Sequence, residues 1–320
     1  MTKYKELFIS LLFALSVVLP LSVSAQDGAP TIIKKEFNVT FNPVKEMSGI
    51  VKSKRFEDVF WVHNDSGDEP RLFAIDGKGK VIYPSYLSVH GEIYEEGKKE
   101  WQGHKILVSS NYDWEDITVD EDMIYISDMG NNGNARRDLG VYVLFEPNPR
   151  AVPATRMLKY LPIRYPEQKK FPAEKWHYDS EALFNYRGKL YFITKHRVTG
   201  KISEFEKGAV LYRLDTQYTD KVNVLTRVDT HSEVAVVTGA DLSPDGSKLA
   251  VLCYRQLWVF DKPRRGDNFF ASSARMISLD FKETARVEAV AWADDETIFI
   301  ANEGREVFSV LLKDMSAYTN

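Results

Sequence analysis

Apolar positions along the chain fall into short runs with β-type composition, and no long stretch repeats at the helical period. One order of runs recurs. A strand opens on polar residues, a second is apolar throughout and ends polar, and a third is rich in aromatic and aliphatic side chains, often closed by Asp. The copies lie at 48–51, 59–62 and 71–76; at 115–119, 123–126 and 140–144; at 180–184, 190–193 and 210–215; at 239–243, 249–252 and 256–261; and at 287–291, 297–300 and 306–310. Outer fourth strands are expected at 80–83, 156–160, 222–225 and 275–279. The last copy lacks one, and residues 31–37 are expected to fill that place and close the ring, which removes exposed sheet edges.

Repetition of one such unit predicts an all-β fold, a β-propeller. Strands apolar on both faces suit a position between neighbouring blades, whereas a two-sheet sandwich alternates more cleanly. Five blades are expected. The alternative is six, with a degenerate blade between Tyr83 and Asn111, where a Glu- and Lys-rich insertion separates the first two copies.

The N-terminus changes the picture. Lys3 and Lys5 precede an apolar run, and Val23-Ser24-Ala25 offers the small residues that signal peptidase needs. Residues 1–25 are therefore expected to be a cleaved signal peptide and 26–320 a single propeller domain, periplasmic or secreted. No second apolar stretch is long enough to span a membrane, so no membrane association is expected after cleavage. The formal charge is -4, and the basic pairs are dispersed, which argues against nucleic acid as a partner. A monomer is expected. The single cysteine, Cys253, sits in an apolar run and reads as a buried thiol, so packing must supply the stability.

The run Leu242-Ser243-Pro244-Asp245-Gly246 and the strand after it resemble the repeat of TolB-like propellers. Trp61-Val62-His63-Asn64-Asp65-Ser66-Gly67-Asp68, then Asp113-Trp114-Glu115-Asp116-Ile117, then Asp128-Met129-Gly130-Asn131-Asn132, resemble a group of exported bacterial β-propellers. More loosely, the pattern is similar to the SdiA-regulated and phytase-like propeller families. Those families imply a propeller and a Ca²⁺ ion, and no reaction carries over.

In a propeller, starts of innermost strands and loops between second and third strands open on one end of the channel. Here those phases are polar: Asp113, Glu115, Asp116, Asp179, Glu181, Asp241 and Glu288 at strand starts, with Asn132, Tyr254, Asn302 and Glu303 among the loop residues. One polar mouth is expected, with a cation-seeking and an anion-seeking side. Asn64, Asp65, Asp68, Asp116, Asp128 and Asn131 are hard oxygen donors of the kind Ca²⁺ takes. Asp and Asn also cap turns by bonding their own backbone. Closely spaced His or Cys pairs, which zinc would need, are absent. Glu115 and Glu181 are candidates for acid/base work, because crowded carboxylates raise one another's pKa. His63 and His196 are candidate bases. Lys195, Arg197, Arg255 and Arg305 could hold an anionic ligand or pair with acidic neighbours; Glu288 and Trp114 join them as candidate ligand contacts. Five-bladed furanosidases carry a carboxylate on the first inner strand; this chain has Met47-Ser48-Gly49 there. No nucleophile elbow or phosphate loop occurs. Three functions follow: binding of a small polar or anionic ligand, with Ca²⁺ as the expected metal; metal-assisted hydrolysis of a phosphate ester or lactone; or a scaffold for an unknown protein partner.

Overall fold

Val, Ile, Phe and Trp dominate the second runs, and such side chains pack well on a pleated surface. In the computed structural model, which describes residues 32–319, those runs are buried strands. The expected signal peptide lies outside the described residues.

The antiparallel pairings repeat one order. Met47–Lys52 pairs with Phe60–Asn64 and that with Arg71–Ile75; Asp116–Asp120, Met123–Asp128, Gly140–Phe145 and Ala154–Arg164 follow in the same way. Trp176–Tyr186, Lys189–Arg197, Lys207–Arg213 and Thr226–Ala235 come next. Val237–Leu242, Lys248–Cys253, Gln256–Asp261 and Ala274–Ser278 precede the last set, Val287–Trp292, Thr297–Asn302 and Glu306–Leu311. The innermost strands pack side by side in chain order, and Val287–Trp292 packs back against Met47–Lys52. Ile33–Asn38 pairs antiparallel with Glu306–Leu311, so the first described strand completes the last sheet. This closed circuit of radial sheets is a β-propeller.

Apolar clusters fill the spaces between successive sheets: Trp61 and Trp114 share one, Trp258 lies in another, and Trp292 in a third. Large apolar side chains are thus drawn between sheets, and the strand starts remain for polar groups. On the axis, the Asp116 carboxylate is fully buried and accepts N–H bonds from Ile117 (2.8 Å), Leu183 (2.7 Å) and Ala240 (3.1 Å), tying three inner strands together.

Two expectations about the periphery change. Residues 222–225 are not an outer strand of the third sheet. Asn223–Val224 pairs parallel with the neighbouring Ala154–Arg164, because buried Asn223 donates to Pro162 O (3.0 Å) and folds the preceding turn onto its own side chain. The outer strand is Thr226–Ala235, largely polar because it lies at an edge. The 84–111 insertion forms a short parallel pair, Val89–His90 with Lys99–Glu100, and His104–Leu107, which bridges Arg71–Ile75 and Ala154–Arg164. It holds no four-strand unit.

Candidate active site at the channel mouth

A bulge at the start of the inner strands builds the site. Ser48, Glu181, Thr238 and Glu288 are each the extra residue at a register shift against the second strand. Glu115 takes the same place, its N–H bonded to Ser127 O while Asp116 pairs with Ser127. Bulges re-aim side chains. Here Ser48, Glu115, Glu181 and Glu288 reach one cavity of about 310 Å³, while Thr238 turns its hydroxyl onto Val287 O (3.0 Å).

Residues around the bulges complete the walls. Asp65 and Glu303 come from loops between second and third strands, and Asp113 and Arg286 precede inner strands. Lys195 and Arg197 end the second strand of the third sheet. Lys195 Nζ donates to Glu181 Oε1 (3.0 Å) and Tyr254 Oη (3.1 Å), and Tyr254 Oη donates to Glu288 Oε1 (3.0 Å). Arg197 is 5% exposed and donates to Asp179 Oδ2 (2.8 Å), Glu181 Oε1 (3.3 Å), Ile202 O (2.5 Å) and Asn132 Oδ1. Arg286 pairs with Glu303 at 3.1 Å. All three cations are engaged by protein carboxylates.

A neighbouring group of carboxylates is different. Asp65, Asp113 and Glu115 each offer a carboxylate oxygen, all within 4.8 Å of one another. Glu115 is 6% exposed, and among the described residues its carboxylate has neither a hydrogen-bond donor nor an ion-pair partner. Gly130 makes the room: a Cβ there would run into the Glu115 and Asp113 carboxylates. A second group, Glu115, Asp179 and Glu181, also converges, but Arg197 bridges two of its members.

Burial and mutual repulsion dominate the titration. Burial, then the charges of Asp179 and Asp65, push Asp113 up to about 7. Glu115 is held well above the usual carboxylate range by burial and by Glu181. Asp179 is raised to about 6 and Glu288 to about 8, burial again leading. Burial alone would lower the Lys195 ammonium, but Glu181 and Glu288 outweigh it and hold it charged.

Of the residues singled out in the sequence, Asp65, Glu115, Glu181, Lys195, Arg197 and Glu288 converge here. The other residues singled out as metal ligands, bases or ligand contacts do not line this cavity. Asn64 bonds Pro43 O, Lys45 N and Asp68, and Asp68 forks onto Arg71 at 2.6 and 2.8 Å. Asp128 accepts from Arg136 (2.9 Å) and Asp113 N (3.2 Å); Asn131 holds Arg136 N and Tyr178 O. With the latched Asp116, these are oxygens already used by the protein, as short polar side chains in turns commonly are. His63 is buried, bonds Asn64 O (3.0 Å), and is pushed down to about 4 by burial. His196 hydrogen-bonds the Thr194 hydroxyl (3.0 Å), stacks on His177 at 3.9 Å, and is lowered to about 3 by burial; it lies away from the mouth. Arg255 is exposed over Phe281, and Arg305 binds Phe41 O and Val44 O. Trp114 is fully buried between sheets.

Asp241, a strand-start carboxylate in the sequence, does not join the glutamates at the mouth. The bulge in its strand is Thr238, so Asp241 sits three residues further on and lines a cavity at the opposite end of the ring. Conversely, Arg286 was missed. It stands two residues before its bulge glutamate, as Asp113 and Asp179 do before theirs, and that phase was the available signal.

No family model matches this sequence, and no curated protein matches it. Among solved structures it is similar to the PQQ-bound aldose sugar dehydrogenase of Streptomyces coelicolor, at 10% identity and TM-score 0.44, over 89% of this chain and 98% of that one. It is also similar to a luciferin-regenerating enzyme, at 10% identity and TM-score 0.43, over 90% and 97%. The Neurospora crassa Pan2 WD40 domain matches at 10% and 0.44, over 87% and 94%.

Proposed function

We propose that this is an exported propeller that binds a small polar ligand at the channel mouth through a Ca²⁺ ion held by Asp65, Asp113 and Glu115. One observation carries the reading: three carboxylates meet within 4.8 Å, and among the described residues none of them has an ion-pair partner. Crowded, buried carboxylates repel one another unless protons or a cation join them. Oxygen-only donors favour a hard ion such as Ca²⁺, which takes six to eight ligands, so positions remain for oxygens of the bound molecule. Among the described residues no histidine or cysteine lines the cavity, which disfavours zinc.

A second reading, metal-assisted hydrolysis of a lactone or phosphate ester, has one observation in its favour. Glu288, raised to about 8, is a carboxylic acid at neutral pH in the cavity wall and can donate a proton.

The first reading is tested by melting chelator-stripped protein with and without Ca²⁺. At about a hundredfold excess over Kd the melting temperature rises by about 5 °C. The Asp113→Asn, Glu115→Gln double variant shows no rise. A wild-type protein indifferent to Ca²⁺ ends the proposal.

A further inference from the structure

We infer that the molecule taken by this site is neutral and polyhydroxylated, of the sugar or sugar-lactone class, and carries no phosphate or carboxylate. The inference rests on the metal reading above and concerns the charge that the rest of the cavity can accept.

An anionic ligand needs a cation to meet it, and each cation that lines the mouth among the described residues already has a carboxylate partner. Six carboxyl side chains line the cavity against Lys195, Arg197 and Arg286. Lys195 is 2% exposed and lies between Glu181 and Tyr254, its ammonium also over the Phe205 and Tyr254 rings. Every nitrogen of Arg197 already donates within the protein. Among these three Arg286 alone is substantially exposed, and one of its nitrogens is held by Glu303. A phosphate at Arg286 would compete with Glu303 and face a cavity lined by six carboxyl side chains. A divalent ion held by Asp65, Asp113 and Glu115 offsets the surplus negative charge without leaving a strongly positive pocket.

The groups that remain match hydroxyls. A hydroxyl oxygen coordinates a hard cation while its own hydrogen donates to a carboxylate. The wall supplies that second half through the oxygens of Glu181 and Glu303, and Glu288 offers an acid proton to a ring or carbonyl oxygen. A cavity of about 310 Å³ suits one small ring.

Calorimetry on Ca²⁺-reloaded protein tests this, with D-glucose, D-galactose, D-xylose and glucono-lactone as neutral probes and glucose 6-phosphate and gluconate as anionic ones. At least one neutral probe binds, only when Ca²⁺ is present, and about tenfold more tightly than the anionic probes. Glu303→Gln releases Arg286 and narrows that gap at least about threefold. An anionic probe that binds as tightly as the neutral ones, or a gap unmoved by Glu303→Gln, overturns the inference. So does the failure of every neutral probe while Ca²⁺ itself still titrates. If Ca²⁺ does not titrate, the metal reading has failed, and this separate arm shows it.

Discussion

At the residue scale, the mouth depends on side chains that do not touch any ligand. Gly130 leaves the volume in which Glu115 and Asp113 come together. Gly130→Ala is therefore expected to weaken Ca²⁺ binding by about tenfold or more while the protein stays folded, read by calorimetry and circular dichroism together. Asp116 acts on stability. Its carboxylate satisfies N–H groups on three inner strands, and an alanine would leave them buried and unpaired. Urea denaturation should show Asp116→Ala less stable by about 3 kcal/mol or more; a loss below about 1 kcal/mol would remove its role as an axial tie. The chain alone could not separate these roles. Asp116, Asp128 and Asp65 are the same residue type in similar polar settings, and only their partners distinguish a latch, a turn cap and a cavity wall.

At the element scale, the closing strand and the bulges matter most. Ile33–Asn38 covers the edge of Glu306–Leu311, with Ile33 buried and Lys35 paired to Glu306. Deleting residues 32–38 should lower the melting temperature by about 5 °C or more and promote aggregation, because the uncovered edge can pair with another chain. Unchanged melting and a monomeric elution profile would contradict that. Most strands were legible because apolar composition reports burial on both faces. Thr226–Ala235 was not, since an edge strand half in solvent carries few apolar residues. The bulges were only half legible. A polar residue opening each inner strand was visible, but a period-two pattern does not show where an extra residue enters, so Asp241 was aligned in place of Thr238.

At the scale of the whole molecule, burying so many carboxyls must show in the pH dependence of stability. Glu288 titrates at about 8 in the folded protein against 4.5 ordinarily. Between those values the folded state holds a proton that the unfolded state has lost, so stability falls as pH rises toward 8. The buried histidines oppose this below pH 6.5, where only the unfolded chain would protonate them. Above about pH 7 they are neutral in both states, and the acids alone act. Metal-free protein should therefore lose about 1–2 kcal/mol through Glu288 between about pH 7 and 8.5, and Glu288→Gln should flatten that slope. Thermal melting across this range decides it; a flat or rising wild-type profile would contradict the burial argument.

The convergence of Asp65, Asp113 and Glu115 on one ion is tested most directly by anomalous diffraction from crystals soaked in a lanthanide. A single strong peak about 2.3–2.6 Å from oxygens of those three side chains is the expected outcome. A peak on the Asn64, Asp68, Asp128 and Asn131 turns, or none at the mouth, would contradict it.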